Sequence, residues 1–264
     1  MNNKKFTQLI WNFYHTNKRT FPWRETTDPY KIMVSEFMLQ QTQTSRVLPK
    51  YNLFLETFPT VQELASSQLS EVLKLWSGLG YNRRAKYLHH AAITITNDYS
   101  SKFPNQKNEL QKIPGIGEYT ASAIVIFSYN KPLPLIETNI RRTYIHHFFQ
   151  DQTDIPDSEI IPLIKQTIDE KNPREWYYAL MDYGVFLKDQ APNPNRKSKH
   201  YTKQSKFEGS VRKVRGEIIR QLLITPQTIE QLSTILDTPL FEKAVEGLMK
   251  DQLVSIDKDM IKLK

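Results

Sequence analysis

The 264-residue chain contains no cysteine, which excludes disulfides, thiolate nucleophiles and cysteine-held zinc or iron–sulfur clusters. Nor does it contain a run of about eighteen apolar residues, the length a membrane-spanning helix requires. After Met1-Asn2-Asn3-Lys4-Lys5 comes an amphipathic segment where a secretory signal would place a continuous apolar core, so no such signal is expected. There are only 6 histidines, and the adjacent pairs His89-His90 and His146-His147 project to different sides of a helix rather than converging as metal ligands would. A soluble, cytoplasmic protein without a bound metal is the expectation.

What the chain has in excess is positive charge. Its 36 lysines and arginines outweigh 28 acidic residues, giving a net charge of +8 and an isoelectric point near 9.4, a balance that favours a polyanionic partner. The length allows two hydrophobic cores, or one large core with an appendage.

Most of the sequence reads as short helices separated by proline or polar breaks, an all-α pattern with loops of ordinary length. Apolar residues recur at helical spacing in Phe6 to His15, Tyr30 to Gln43, Arg46 to Phe58, Ser70 to Trp76, Ala85 to Asp98, Glu109 to Ile113 and Glu118 to Tyr129. Ile136 to Phe149 is helical after an extended start, and Ile160 to Asp169 and Trp176 to Phe186 complete the set. Thr60 is a candidate cap after the Phe58-Pro59 break. From Lys188 to Lys206 the polar, basic, proline-rich composition predicts a solvated linker, or one that also lies along a phosphate backbone.

The tail has its own logic. Helices are expected over Val211 to Leu223, Thr228 to Leu236, capped by Thr228 or Thr225, and Leu240 to Asp251; alternating residues around Asp257-Lys258-Asp259 then predict a hairpin. Three helices and a hairpin read as a winged-helix module. Its third helix, with Glu242, Lys243, Glu246 and Lys250, is not notably basic, which favours an accessory or packing role over direct DNA reading.

The most informative stretch runs from Ile113 to Arg142. Pro114 stops one helix, Gly115 and Gly117 allow a tight turn with positive φ, and the amides opening the next helix are left without intrahelical partners. Such a turn directs N–H groups and a positive dipole end at an anion, and a DNA phosphate fits. Glu137 and Asn139 follow, beside Arg141 and Arg142. Upstream, Ser35-Glu36-Phe37-Met38-Leu39-Gln40-Gln41-Thr42-Gln43 sets one acid before a dense row of amides, suited to hydrogen bonding with base edges.

From about Phe6 to Gly184 the chain resembles the helix-hairpin-helix DNA glycosylases, and within them the MutY-type adenine glycosylases. The resemblance is carried, in order, by Phe21-Pro22-Trp23-Arg24, Asp28-Pro29-Tyr30, Ser35-Glu36 through Gln43, Phe58-Pro59-Thr60-Val61, Leu75-Trp76-Ser77-Gly78-Leu79-Gly80-Tyr81 and Ile113-Pro114-Gly115-Ile116-Gly117. It implies two helical lobes, residues 1–27 with 134–206 and residues 28–133, followed by the winged-helix-like module at 207–264, with a damaged nucleotide rotated out of double-stranded DNA into the groove between the lobes. Glu36 would protonate the departing base, which needs a carboxyl held partly protonated in a poorly solvated pocket. Glu137 would stabilise the oxocarbenium-like sugar and Asn139 would orient the deoxyribose or water. Tyr119 stands where bifunctional relatives carry a lysine, so Schiff-base strand cleavage is not expected. Trp23 and Arg24 would line the base pocket. Leu39, Gln40 and Gln41 would fill the gap left by the base, Tyr81 would intercalate, and Gly115 and Gly117 would hold phosphate. The remaining aromatics, Trp76, Trp176, Tyr177 and Tyr178 among them, belong to the core.

The chain departs from the family pattern in three places. Glu137 occupies the position of an aspartate, and one further methylene moves a carboxylate by roughly 1.5 Å at full extension. The four cysteines that hold a [4Fe–4S] cluster in relatives are missing, so no cofactor is expected and Lys188 to Lys206 must be held by other contacts. The tail does not resemble the β-rich domain that senses 8-oxoguanine. The expected function is therefore monofunctional removal of a mismatched base by a monomer at the nucleoid: adenine opposite guanine or 8-oxoguanine first, a mismatched or damaged pyrimidine opposite guanine as the alternative, and a lesion-binding protein without turnover as a third reading.

Overall fold

A computed structural model describes residues 1–190, 192–203 and 206–264; Ala191, Gln204 and Ser205, part of the expected linker, lie outside the described residues. The helices run in order α1 (Asn3–Asn17), α2 (Pro29–Leu39), α3 (Thr44–Thr57), α4 (Val61–Ser66), α5 (Leu69–Trp76), α6 (Arg83–Asp98), α7 (Lys107–Leu110), α8 (Glu118–Tyr129), α9 (Thr138–Phe148), α10 (Asp157–Thr167) and α11 (Pro173–Gln190). The tail adds α12 (Val211–Leu222), β1 (Gln227–Thr228), α13 (Ile229–Leu236), α14 (Phe241–Lys250), β2 (Val254–Asp257) and β3 (Met260–Leu263). The helix α4 follows directly from a capping box in which Thr60 accepts from the Glu63 amide and the Glu63 carboxylate accepts from the Thr60 amide.

The chain divides into two compact units. The first comprises Met1–Ile32, Asn105–Gln111 and Gly117–Lys203, and the second Met33–Pro104, Lys112–Ile116 and Gln204–Lys264. This grouping differs from the boundaries expected from the sequence: α8 joins the terminal segments, and the tail joins the unit that carries α3 to α6. The tail joins that unit through polar contacts with α6, which leave no apolar period to read.

In the first unit, Phe6 of α1 sits 5.1 Å from Tyr144 and 6.2 Å from Trp176, ring centre to ring centre, in an aromatic core joined by Tyr177. Helices α9 and α11 pack along one another, and at their crossing a Cβ on Gly184 would lie 2.2 Å from the Asn139 carbonyl oxygen, so only glycine fits. The stretch expected as a solvated linker is, over residues 193–198, part of this unit: Pro194–Lys197 forms a 3-10 turn, and Pro194, Asn195 and Ser198 are buried. Ile155 pairs with it, donating to Lys197 O at 2.9 Å and accepting from the Lys199 amide at 3.0 Å.

In the second unit, α4 packs on α6, with Trp76 and Phe54 fully buried. The tail has winged-helix topology, a three-stranded antiparallel sheet in the order β1-β3-β2 whose hairpin registers Ile256 with Ile261. The sequence reading missed β1. Thr228, one of two candidates, is the cap of α13, in a box with Gln231.

Candidate active site

In the second unit the site residues sit on α2, on the turn that follows it and on the turn before α6. Glu36 is only 6% exposed, between buried Ser35 and Phe37, because α2 is apolar on nearly every side. Leu39 and Gln40 close the helix partly buried, and Gln41 turns out to solvent with φ 53°. The helix end is held by a residue the sequence reading did not single out. Arg84, buried on α6, donates to the carbonyls of Phe37 at 2.8 Å, Met38 at 2.9 Å and Gln40, to Thr42 Oγ1 at 3.0 Å, and to the carbonyls of Leu79 at 3.3 Å and Gly80 at 3.0 Å. One planar fork thus satisfies the orphan carbonyls ending α2 and ties them to the Gly78–Tyr81 turn. Burial lowers its pKa to about 10, which leaves it charged at neutral pH.

That turn takes left-handed backbone at Gly78 (φ 92°), Gly80 (φ 72°) and Tyr81 (φ 49°). Trp76 Nε1 donates to Gly80 O at 3.1 Å, and Arg46 donates to Gly78 O. Tyr81 is half-buried, its ring beside the Arg84 guanidinium at 5.6 Å.

The Pro-Gly-Ile-Gly turn is only partly as expected. Ile113 and Ile116 are buried and pin it, while Pro114 and Gly115 are exposed. Gly115 is required twice over, by φ 82° and by a would-be Cβ 2.4 Å from Tyr87 Cβ. Gly117 does not take positive φ: it is the N-cap of α8 at φ −80°, ψ −178°, with no side-chain cap and open space where a Cβ would stand. Its value is that it brings no side chain of its own to the start of the helix, whose first turn carries Glu118 paired with Lys107 at 2.7 Å. Tyr119, in the first turn of α8, is partly buried.

In the first unit Glu137 is the N-cap of α9. Its Oε1 accepts from the Asn139 amide at 2.8 Å and the Ile140 amide at 2.9 Å, and its Oε2 from Asn139 Nδ2 at 3.2 Å. Asn139 is held in turn by Arg142, whose Nη1 donates to Asn139 Oδ1 at 2.8 Å and Gly184 O at 2.6 Å while its Nε donates to Asn193 Oδ1 at 3.1 Å. The longer side chain therefore curls back onto its own helix. Burial pushes the Glu137 carboxyl above the usual carboxylate range, against the lowering effect of the two amides and of Arg142 and Arg141.

The two arginines beside Glu137 and Asn139 are engaged internally: Arg142 as above, and Arg141 in a bidentate pair with Asp157 at 2.7 Å through both Nε and Nη2. Arg24, assigned to a base pocket, is bidentate on buried Asp182 at 2.9 Å and 2.9 Å, with its guanidinium 4.6 Å from the Tyr178 ring centre. What it positions is the neighbouring stack, in which buried Trp23 lies 4.9 Å from Phe21 at 4°.

The fold family's iron–sulfur cluster has no donors here, since thiolates are absent from the sequence. Residues 193–198 are instead held by Arg142, by Asn195 Nδ2 donating to Thr138 O at 2.8 Å and by the Ile155 pairing.

These helices and turns resemble the architecture of solved DNA glycosylases. A solved thermostable thymine-DNA glycosylase superposes with a TM-score of 0.62 and 25% sequence identity, covering 69% of this chain and 86% of that one. The chain belongs to the HhH-GPD superfamily of base excision DNA repair proteins, whose family model matches residues 34–165. Among curated relatives, an adenine DNA glycosylase of Buchnera aphidicola is 37% identical over 69% of this chain and 52% of its own length. One from Mycobacterium tuberculosis is 32% identical, over 94% of this chain and 88% of its own length. The chain spans about half the length of the first relatives it matches.

Proposed function

We propose that this protein is a monofunctional DNA glycosylase that hydrolyses the N-glycosidic bond of adenine mispaired with guanine or 8-oxoguanine in double-stranded DNA, acting as a monomer and without a metal or cluster. The observation that carries the proposal is Glu36, an ionisable side chain 6% exposed at the position of the family's general acid. A carboxyl is the group that can act as general acid and deliver a proton as the base leaves. Glu137, fixed by two backbone amides and by Asn139, supplies negative charge to the electron-poor sugar, and Asn139 orients the sugar or the attacking water. Tyr119 offers no amine, so no Schiff base forms and the strand stays intact. Gln40, Gln41 and Tyr81 fill and brace the duplex, and the Gly115 turn and the uncapped start of α8 take phosphate. Among the described residues no helix is long and apolar enough to cross a membrane.

A second reading, removal of thymine, uracil or 5-hydroxyuracil opposite guanine, is favoured by the likeness to a thymine-DNA glycosylase. A panel of duplexes carrying A:G, A:8-oxoguanine, T:G, U:G and 5-hydroxyuracil:G, incubated with excess protein and cleaved with alkali, separates them. Product from the adenine strands is expected, reduced by about 10²–10⁴-fold in Glu36→Gln. Product from pyrimidine strands alone would establish the second reading, and binding without product from any strand would make this a lesion-binding protein.

A further inference from the structure

We propose that the winged-helix tail is a working part of the DNA interface, and that Arg212 is a positioning residue that fixes the ring of Tyr81 in the pose in which it meets the duplex. This rests on the glycosylase reading above. Arg212, at the start of α12, donates to the Tyr81 hydroxyl and lies 5.2 Å from its ring centre. The Tyr81 backbone is left-handed, a strained conformation for a non-glycine residue that persists only where the surroundings enforce it. Arg84 enforces the backbone through the Leu79 and Gly80 carbonyls; Arg212 holds the far end of the side chain.

The tail can do this because it is docked on the helix that Tyr81 introduces. Lys86 of α6, buried, donates to Asp251 O at 3.0 Å and Gln252 Oε1 at 2.8 Å just past the end of α14. The Asp251 carboxylate takes Arg215 of α12 and approaches Arg83 of α6 at 3.6 Å. Tyr81, Arg83 and Lys86 thus present the turn and the first helical turns of α6 to α12 and α14 together. Arg46 on the Gly78 carbonyl and Arg212 on the tyrosine gather guanidinium charge around one turn, a setting that matches the phosphates on either side of an inserted ring.

Two measurements on the full chain test the proposal. In the free protein, NMR of ring-labelled tyrosine should place the Tyr81 signals at new shifts in Arg212→Ala, with Arg212→Lys intermediate; unchanged signals would overturn the hold itself, whatever the DNA does. With duplex, Arg212→Ala should lower the affinity ratio of mismatched to fully paired DNA by about tenfold, the loss of a charge-assisted hydrogen bond, with KM affected more than kcat. In Tyr81→Phe the same substitution should cost much less, because the bond is already gone. Additive losses, or equal losses on both duplexes, would reduce Arg212 to a phosphate contact and overturn the positioning role. If the tyrosine signals moved as expected in Arg212→Ala yet the wild-type chain bound no DNA, the glycosylase reading would fall, not the contact.

Discussion

A glutamate is a poor opener for a helix, because its side chain must fold back to reach amides that aspartate or serine meets directly. Glu137 does fold back, and Asn139 and Arg142 hold it there. Its folded-state pKa is raised, so the charged form is the disfavoured one. The stability this carboxyl contributes is present when it is protonated, below the usual glutamate pKa, and is lost as pH rises through the raised folded value. The proposed catalysis needs the opposite, since only the ionised group would stabilise a cationic sugar. Activity should accordingly fall on acidification at a pH above the ordinary carboxylate range. Glu137→Gln should melt higher than wild type at pH 7 to 8 while losing on the order of a hundredfold or more in single-turnover rate. A variant that melts lower at those pH values would contradict the burial argument. The sequence named Glu137 and Asn139, but not the engagement of Arg141 and Arg142. Nothing local in a basic chain separates a paired arginine from a free one, and their partners Asp157 and Asn193 are distant in sequence.

At the level of elements, periodicity placed nearly every helix within a few residues, and local chemistry placed the caps, as Thr60 and Thr228 demonstrate. What periodicity could not expose are the links made by side chains on far-off carbonyls. Arg84 binds acceptors in two segments, and residues 193–198 pack by hydrogen bonding, so a polar stretch that reads as linker is ordered. Gly184 marks the end of the stretch that resembles the family, but what requires glycine there is the crossing of α9 and α11. Gly184→Ala would press a methyl group against the Asn139 backbone. The expected cost is about 1–3 kcal/mol of overpacking, and a shift of Asn139 and Glu137 approaching 1 Å would cut the rate about a hundredfold. Gly216→Ala in α12 is the control: its Cβ meets open space, so alanine should be neutral or stabilising there. Equal effects of the two on melting and rate would remove the crossing from the explanation.

For the whole molecule, a net charge of +8 overstates the charge offered to DNA. The pairs Arg24–Asp182 and Arg141–Asp157 already cancel within that figure, but Arg84 and Arg142 are buried and donate to internal carbonyls, as does Arg174. Others stand outside: the Arg83 side chain is 60% exposed, and Arg46 is exposed beside the Gly78 turn. Each phosphate neutralised releases counterions, so log affinity falls linearly with log salt, by about 0.9 per contact. Fluorescence anisotropy on a mismatched duplex across a salt series should sort the two groups. Arg46→Gln and Arg83→Gln should each flatten the slope by close to one contact, whereas Arg142→Gln should slow base removal with the slope intact, since its charge faces Asn139, Gly184 and Asn193 rather than solvent. A slope that flattened equally in all three would mean that the internal arginines leave their partners to meet the duplex, and the assignment of Arg142 to holding Asn139 and Glu137 would have to be given up.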